Sequence, residues 1–187
     1  LTLTNQNIEQ LILLCKTGNQ LAQLEVYNRY HKAMYNISYR IVKDQFAAED
    51  IMQDALLSAF TKLDSLNDIT TFGAWLKRIV INKSIYHFNQ NSKYQNVAFE
   101  DVAFKVEAEH HNGVSQEDFT HLKAKEVLKT MGLLKDSYRI SLTLHLIEGY
   151  DYEEICDIMN LSYSNCRTTI SRAKASLRDK LKHLVYN

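Results

Sequence analysis

Gly149-Tyr-Asp-Tyr-Glu-Glu-Ile-Cys-Asp-Ile-Met-Asn-Leu-Ser-Tyr-Ser-Asn-Cys-Arg-Thr-Thr-Ile-Ser-Arg-Ala-Lys174 reads as a helix, a tight turn and a second, basic helix. Asp151 is placed to accept from the free N–H groups of the first turn, and Glu154, three residues on, can reach back to complete a capping box. Ile155, Ile158 and Met159 then share one side of the helix. Asn160-Leu161 breaks the pattern, and Ser162 is a second N-cap that launches the next helix. Two short helices with so little chain between them must cross at a steep angle.

In the second helix Cys166, Ile170, Ala173 and Leu177 recur at offsets of 4, 3 and 4, the stripe that buries one side of an α-helix. Arg167, Thr168, Ser171 and Arg172 occupy the opposite side. Arginine can pair with guanine edges or phosphates, and short hydroxyl side chains reach phosphates or bases when such a helix lies in the major groove. The plainer alternative for the basic residues Arg172, Lys174, Arg178, Lys180 and Lys182 is that they complement the negative end of a long helix. Capped helix, turn, buried stripe and basic face together favour a DNA-reading helix-turn-helix.

Composition supports an all-α protein. The 187 residues include no proline and five glycines, so helices can run uninterrupted, and the length suits one domain or two small ones. Lys plus Arg equals Asp plus Glu at 22 each, so no large field draws the whole chain onto nucleic acid. The charge is uneven, however: residues 1–95 carry 10 basic and 8 acidic groups, 96–121 carry 1 and 6, and 122–187 carry 11 and 8. Cys15, Cys156 and Cys166 lack a Cys-x-x-Cys spacing, which argues against a structural zinc site and a disulfide framework and fits a reducing cytoplasm. No apolar run approaches a membrane span, and no basic start with an apolar core marks a signal peptide, so no membrane insertion is expected.

Helical spacing covers 5–16 (Ile8, Leu11, Ile12, Cys15) and 20–43 (Leu21, Leu24, Tyr27, Tyr35, Tyr39, Val42), with Thr17-Gly18-Asn19 as the break. Asp44 is placed to cap a helix over 45–65 with Ala48, Met52, Ala55, Ala59 and Leu63 inward, and Ser65 to Thr71 reads as a polar loop. Another helix runs from Phe72 to about Asn89, with Trp75 read as a core residue. Domain boundaries follow: a helical domain at 1–93, an acidic linker at 94–120 and a second helical domain at 121–187. Within the latter, Tyr138-Arg-Ile-Ser-Leu-Thr-Leu-His-Leu146 alternates like a strand, yet a lone strand would leave its backbone unpaired, so a helix over 136–148 is expected.

On the third helix Asp50, Gln53, Asp54 and Leu57 share a face at offsets of 3, 4 and 7. Acids beside a leucine suit a partner helix, and the alternative is an ordinary solvated face. No nucleophile elbow, phosphate-binding glycine loop or His-Glu-x-x-His spacing is present, so neither an enzyme nor a cofactor is expected; His110-His111 is at most an adventitious metal site.

Ala48-Glu-Asp-Ile-Met-Gln-Asp-Ala-Leu-Leu57, then Thr71-Phe-Gly-Ala-Trp-Leu-Lys-Arg-Ile-Val-Ile-Asn82, then the helix-turn-helix, resemble the two domains of bacterial extracytoplasmic-function sigma factors in order and spacing. The likeness covers residues 5–93 and 121–183. It implies that the Ala48–Leu57 helix docks on core RNA polymerase through Asp50, Gln53, Asp54 and Leu57. It implies that Asn67, Asp68, Thr71, Asn82 and Lys83 take the −10 promoter element, where an extruded base needs a polar pocket and a stacking surface. It places Arg167, Thr168, Ser171 and Arg172 on the −35 element, threads the acidic linker through polymerase channels, and admits an anti-sigma factor as a further partner. Two departures stand out. Tyr86-His-Phe-Asn-Gln-Asn-Ser-Lys93 offers one certain cation where the family clusters Arg and Lys, and Thr169 and Asn165 replace a common Arg and Thr. The first departure leaves open a polymerase-binding modulator or decoy with weak promoter melting. A conventional helix-turn-helix regulator with an N-terminal helical bundle is the other alternative.

Overall fold

The computed structural model describes residues 3–95 and 116–185, with side chains for 3–91 and 124–182. All regular structure among these residues is helical, and the chain divides into two compact units, 1–92 and 93–187.

In the first unit a short 3-10 turn, Leu3–Asn5, precedes α1 (Ile8–Lys16), α2 (Gln20–Val42), α3 (Gln45–Thr61) and α4 (Phe72–Gln95). Each of the first three starts on a side-chain cap: Asn7 accepts from the Gln10 amide, Asn19 from Ala22 and Asp44 from Ala47. Between α1 and α2 the chain reverses at Gly18, whose φ of 79° is a left-handed conformation that glycine adopts without strain.

The buried stripe of α2 is Ala22, Val26, Met34, Ile37, Ser38 and Ile41. It lies beside the spacing expected from the larger apolar residues, and Leu21 and Leu24 remain 60% and 56% exposed. The stripe mixes the large Val26, Met34, Ile37 and Ile41 with the small Ala22 and Ser38, and so runs beside the positions marked by the leucines and tyrosines. On α2, Ser38 pairs with the hydroxyl of Ser84 from α4 at 3.0 Å, and Tyr30 meets Phe72 edge to face at 5.4 Å. A Cβ on Gly73 would sit 3.4 Å from the Tyr30 ring, at ordinary contact distance. From α3, Ala48, Met52, Ala55 and Ala59 turn inward as expected, joined by Ile51 and Leu56. The α-helix ends at Thr61, however, and Leu63 enters the core from a separate 3-10 turn, Leu63–Ser65. The segment expected as a polar loop therefore holds a buried Leu66 and a second 3-10 turn, Ile69–Thr71.

The second unit comprises α5 (Gln116–Gly132), α6 (Asp136–Leu142), α7 (Tyr152–Met159) and α8 (Tyr163–Val185). Helices reach into the segment expected as linker from both sides, to Gln95 and from Gln116; its remainder, with His110 and His111, lies outside the described residues. The strand-like stretch is helical, but α6 passes at Thr143–Ile147 into a wide π turn, closed by Glu148 N–H donating to the Thr143 carbonyl. Residues 139 to 144 are all buried, so this helix is wrapped rather than amphipathic. Its polar members are accommodated locally: Arg139 pairs with Asp136 at 2.6 Å, and the Ser141 hydroxyl donates to the Tyr138 carbonyl. All-round burial is why periodicity there could not separate helix from strand.

The α7 capping box forms with both bonds present: Asp151 accepts from the Glu154 amide at 2.8 Å and Glu154 from the Asp151 amide at 3.0 Å. Asn160 ends the helix in a left-handed conformation with φ of 52°. Replacing Asp151 by Ala should cost about 1 kcal/mol of stability, the usual weight of a cap; urea unfolding of the variant measures it, and Asp151→Asn, whose side-chain oxygen can still accept from the Glu154 amide, should avoid most of that loss.

Candidate nucleic-acid interface

The exposed side of α8 is set by what its other side buries. Cys166, Ile170 and Ala173 are fully buried and Leu177 nearly so, which turns Arg167, Thr168, Ser171 and Arg172 outward, all four exposed. Neither arginine is held in an ion pair by another described residue, so both guanidinium forks remain available to phosphates or guanine edges. Thr168 differs: its hydroxyl donates to the Ser164 carbonyl at 2.8 Å, a bond it must release to donate elsewhere.

A polar relay seats α8 against the π turn and the start of α7. The Tyr150 carbonyl can only accept, so His145 Nδ1, 3.1 Å away, carries the proton. Nε2 is then an acceptor, and Lys174 Nζ donates to it at 3.0 Å. The His145 ring also lies 5.0 Å from that of Tyr152, which faces the same ammonium at 5.9 Å. Lys174, read from sequence as a possible helix-end cation, is thus a strut within the unit. Beside the relay a shallow groove is lined by His145, Asp151, Tyr152, Glu153 and Tyr163, and its two acids make it a poor seat for phosphate.

In the first unit, Asp50, Gln53, Asp54 and Leu57 are all exposed on α3. Leu57 is 66% exposed, and Phe46, four residues before Asp50 on the same side, is 84% exposed. An apolar residue at each end of an acidic stripe is a surface that gains by being covered. Phe46 precedes the acidic motif, and its spacing of 4 to Asp50 is the sequence signal that places it on this face.

Gln53 Nε2 donates to Glu49 at 2.9 Å, and Asp54 pairs with Lys83 of α4 at 2.6 Å. One residue expected at polymerase and one expected at the −10 element therefore meet each other. Asn82 is exposed beside that bridge, while Trp75 is half-buried with its ring tilted against Phe72 at 6.1 Å. In the preceding loop Asn67 is exposed and Asp68 caps the 3-10 turn, its Oδ1 accepting from the Thr70 amide at 2.9 Å and hydroxyl at 2.7 Å. Those two bonds hold the Asp68 carboxyl below its ordinary range. The Thr71 hydroxyl donates to the Asp68 carbonyl at 2.7 Å, so the loop is braced from within. No group of metal-ligating side chains occurs among the described residues.

The Asp54–Lys83 bridge is exposed enough that its contribution should be small, about 1 kcal/mol or less. Asp54→Asn should accordingly unfold in urea within that margin of the parent chain, so that any larger loss of binding reports on the surface rather than the fold.

The family description "Sigma-70 region 2" matches residues 26–94, and "Sigma-70, region 4" matches residues 124–177. The ECF RNA polymerase sigma factor SigW of Bacillus subtilis is 27% identical over 187 residues, spanning 95% of this chain and 98% of its own length. The RNA polymerase sigma-H factor of Pseudomonas aeruginosa is 26% identical over 190 residues, covering 98% of both chains. The fold is shared with CnrH, solved with the cytosolic domain of CnrY, at a TM-score of 0.55 and 23% identity over 94% of this chain and 97% of that one. It is also shared with the sigma factor RpoE of Bartonella quintana, solved with the anti-sigma factor NepR, at a TM-score of 0.57 and 22% identity over 84% of this chain and 95% of that one. With both regions matched in order and relatives similar along nearly the whole chain, the protein belongs to the extracytoplasmic-function sigma factors, which recognise promoters.

Proposed function

We propose that this sigma factor binds core RNA polymerase through the exposed face of α3 and grips a promoter at two points, the −10 element with its first domain, 1–93, and the −35 element with its second, 121–187. The observation that carries this reading is the outward basic face of α8 in the region 4 match, paired with the acid-and-apolar face of α3 in the region 2 match. Asp50, Gln53, Asp54 and Leu57, extended by Phe46, form the polymerase surface. Arg167 and Arg172 read base edges, while Thr168 and Ser171 bond phosphates or bases. Asn67, Thr71 and Asn82 offer short polar groups to an unpaired strand. Asp68 acts there by shaping the loop through Thr70, since its charge opposes phosphate.

Lys83 reaches a phosphate only by leaving Asp54. The protein catalyses no reaction itself, and phosphodiester chemistry belongs to the polymerase. No described helix is long and apolar enough to cross a membrane, in keeping with action in the cytoplasm, where polymerase and promoter DNA are found. An anti-sigma factor is a further partner, suggested by the complex in which the similar Bartonella chain was solved.

In vitro transcription with purified core polymerase tests the reading. Promoter-directed transcripts are expected; core binding without initiation would instead identify a modulator, and tight duplex binding without polymerase a conventional regulator. Asp50→Arg should lose capture of core polymerase while keeping its helicity, and normal capture would remove α3 as the docking face. Arg172→Ala should weaken −35 discrimination by about 1–3 kcal/mol, read as a loss of preference between wild-type and mutated −35 elements.

A further inference from the structure

Two of the three cysteines meet inside the helix-turn-helix. Cys166 is fully buried on α8, with Sγ 3.6 Å from the Tyr152 carbonyl oxygen. Within α7 that carbonyl is one turn before Cys156, whose own amide bonds to it in the helical i to i+4 pattern. Side chains on a helix lean toward its N-terminus, so the Cys156 thiol is carried down toward the level of Tyr152 and of the Cys166 sulfur. Cys156 itself is half-buried and open to small solutes. The thiols interact: Cys166 is pushed up to about 11, first by burial, then by hydrogen bonding to Cys156 and by its charge. Cys15, by contrast, is buried in the first unit.

We infer that Cys156 and Cys166 form a redox-active pair that closes to a disulfide across the helix-turn-helix when a peroxide oxidises Cys156. The Cys156 thiolate attacks one oxygen of hydrogen peroxide; an S–O bond forms as the O–O bond breaks, and hydroxide leaves to become water. Cys156 is then a sulfenic acid. The Cys166 sulfur attacks that sulfur, forming the S–S bond as the S–O bond breaks, and its proton leaves with the hydroxide as a second water. Two thiols and one peroxide thus give one disulfide and two waters, with peroxide the two-electron oxidant. Burial keeps Cys166 protonated and unreactive toward peroxide, so Cys156 is the sulfur oxidised first and Cys166 the one that resolves it.

A disulfide holds its sulfurs about 2.05 Å apart. Reaching that distance draws Cys166 away from the Tyr152 carbonyl and shifts the start of α8, where Arg167 is the next residue after Cys166. The consequence for DNA rests on α8 being the −35 reader; the bond itself does not.

Trypsin releases Ile140–Arg167, which contains both cysteines, so the bond is internal to one peptide. After hydrogen peroxide treatment of the full chain and alkylation with iodoacetamide, this peptide should lose two hydrogens and take up no alkyl group. Dithiothreitol should restore two alkylation sites. Cys156→Ser and Cys166→Ala, checked for parental helicity by circular dichroism, should each abolish the change, while Cys15→Ser should not. Transcription by the oxidised holoenzyme from a −35-dependent promoter should fall about tenfold, the weight of one misplaced base-reading arginine, and recover with reductant.

A peptide that keeps two alkylatable thiols, or gains oxygen on Cys156 while Cys166 stays free, overturns the pair. A disulfide formed with transcription unchanged overturns its effect on α8. Reduced protein that fails to transcribe at all counts against the function proposed above and leaves the chemical result standing.

Discussion

The stripe of Cys166, Ile170, Ala173 and Leu177 is the constraint on which the second unit depends. A 23-residue helix with a polar majority has little reason to hold one rotational setting alone. Burying those four side chains sets the rotation of α8, and the setting places Arg167, Thr168, Ser171 and Arg172 on a common outer face. The other devices of the unit serve the same contact. The capping box starts α7 at the position that brings Ile155 and Ile158 into the core, the left-handed Asn160 turns the chain without a long loop, and the relay from Lys174 through His145 to the Tyr150 carbonyl ties α8 to the π turn. The basic outer face is therefore a by-product of apolar burial on the opposite side.

Electrostatics explains why such a face works in company. With 22 basic and 22 acidic side chains, the chain supplies little long-range attraction to a polyanion. Affinity must come from local contacts, and two modest contacts joined by one chain gain from effective concentration once both can be reached together. A polymerase holding α3 would supply that geometry. The exposed Phe46 and Leu57 suit burial in such a contact, whereas the basic face of α8 suits a wetter, salt-sensitive one.

How much of this could be read in the sequence depended on whether one face of an element was buried or all of it. The capping box, the four buried positions of α8 and the inward face of α3 were legible because caps and amphipathic stripes leave a spacing in the residue order. On α2 the leucines misled, because the buried stripe combines Val26, Met34, Ile37 and Ile41 with the small, inconspicuous Ala22 and Ser38 while Leu21 and Leu24 face water. Around Arg139–Leu144 no spacing existed to be read, since every side is covered, and the π turn follows from packing rather than propensity. For the site, residue types and faces were visible early. Pairings between distant positions, Asp54 with Lys83, His145 with Lys174 and Cys156 with Cys166, were not, because they arise only when helices are laid side by side.

The bridge between Asp54 and Lys83 gives the first unit a form of thermodynamic linkage. On the proposed assignment one carboxylate serves two masters, since it answers either the ammonium of α4 or a group on the polymerase. Engagement of Asp54 by the enzyme would release a cation beside Asn82, and occupation of Lys83 by a phosphate would release an acid on α3. Reciprocity then requires each event to favour the other by the same factor. An exposed pair can supply about 1 kcal/mol at most, so the coupling would be roughly fivefold or less. That is too weak for a switch but sufficient to bias a sigma factor with no net positive charge toward promoters after it has joined the enzyme.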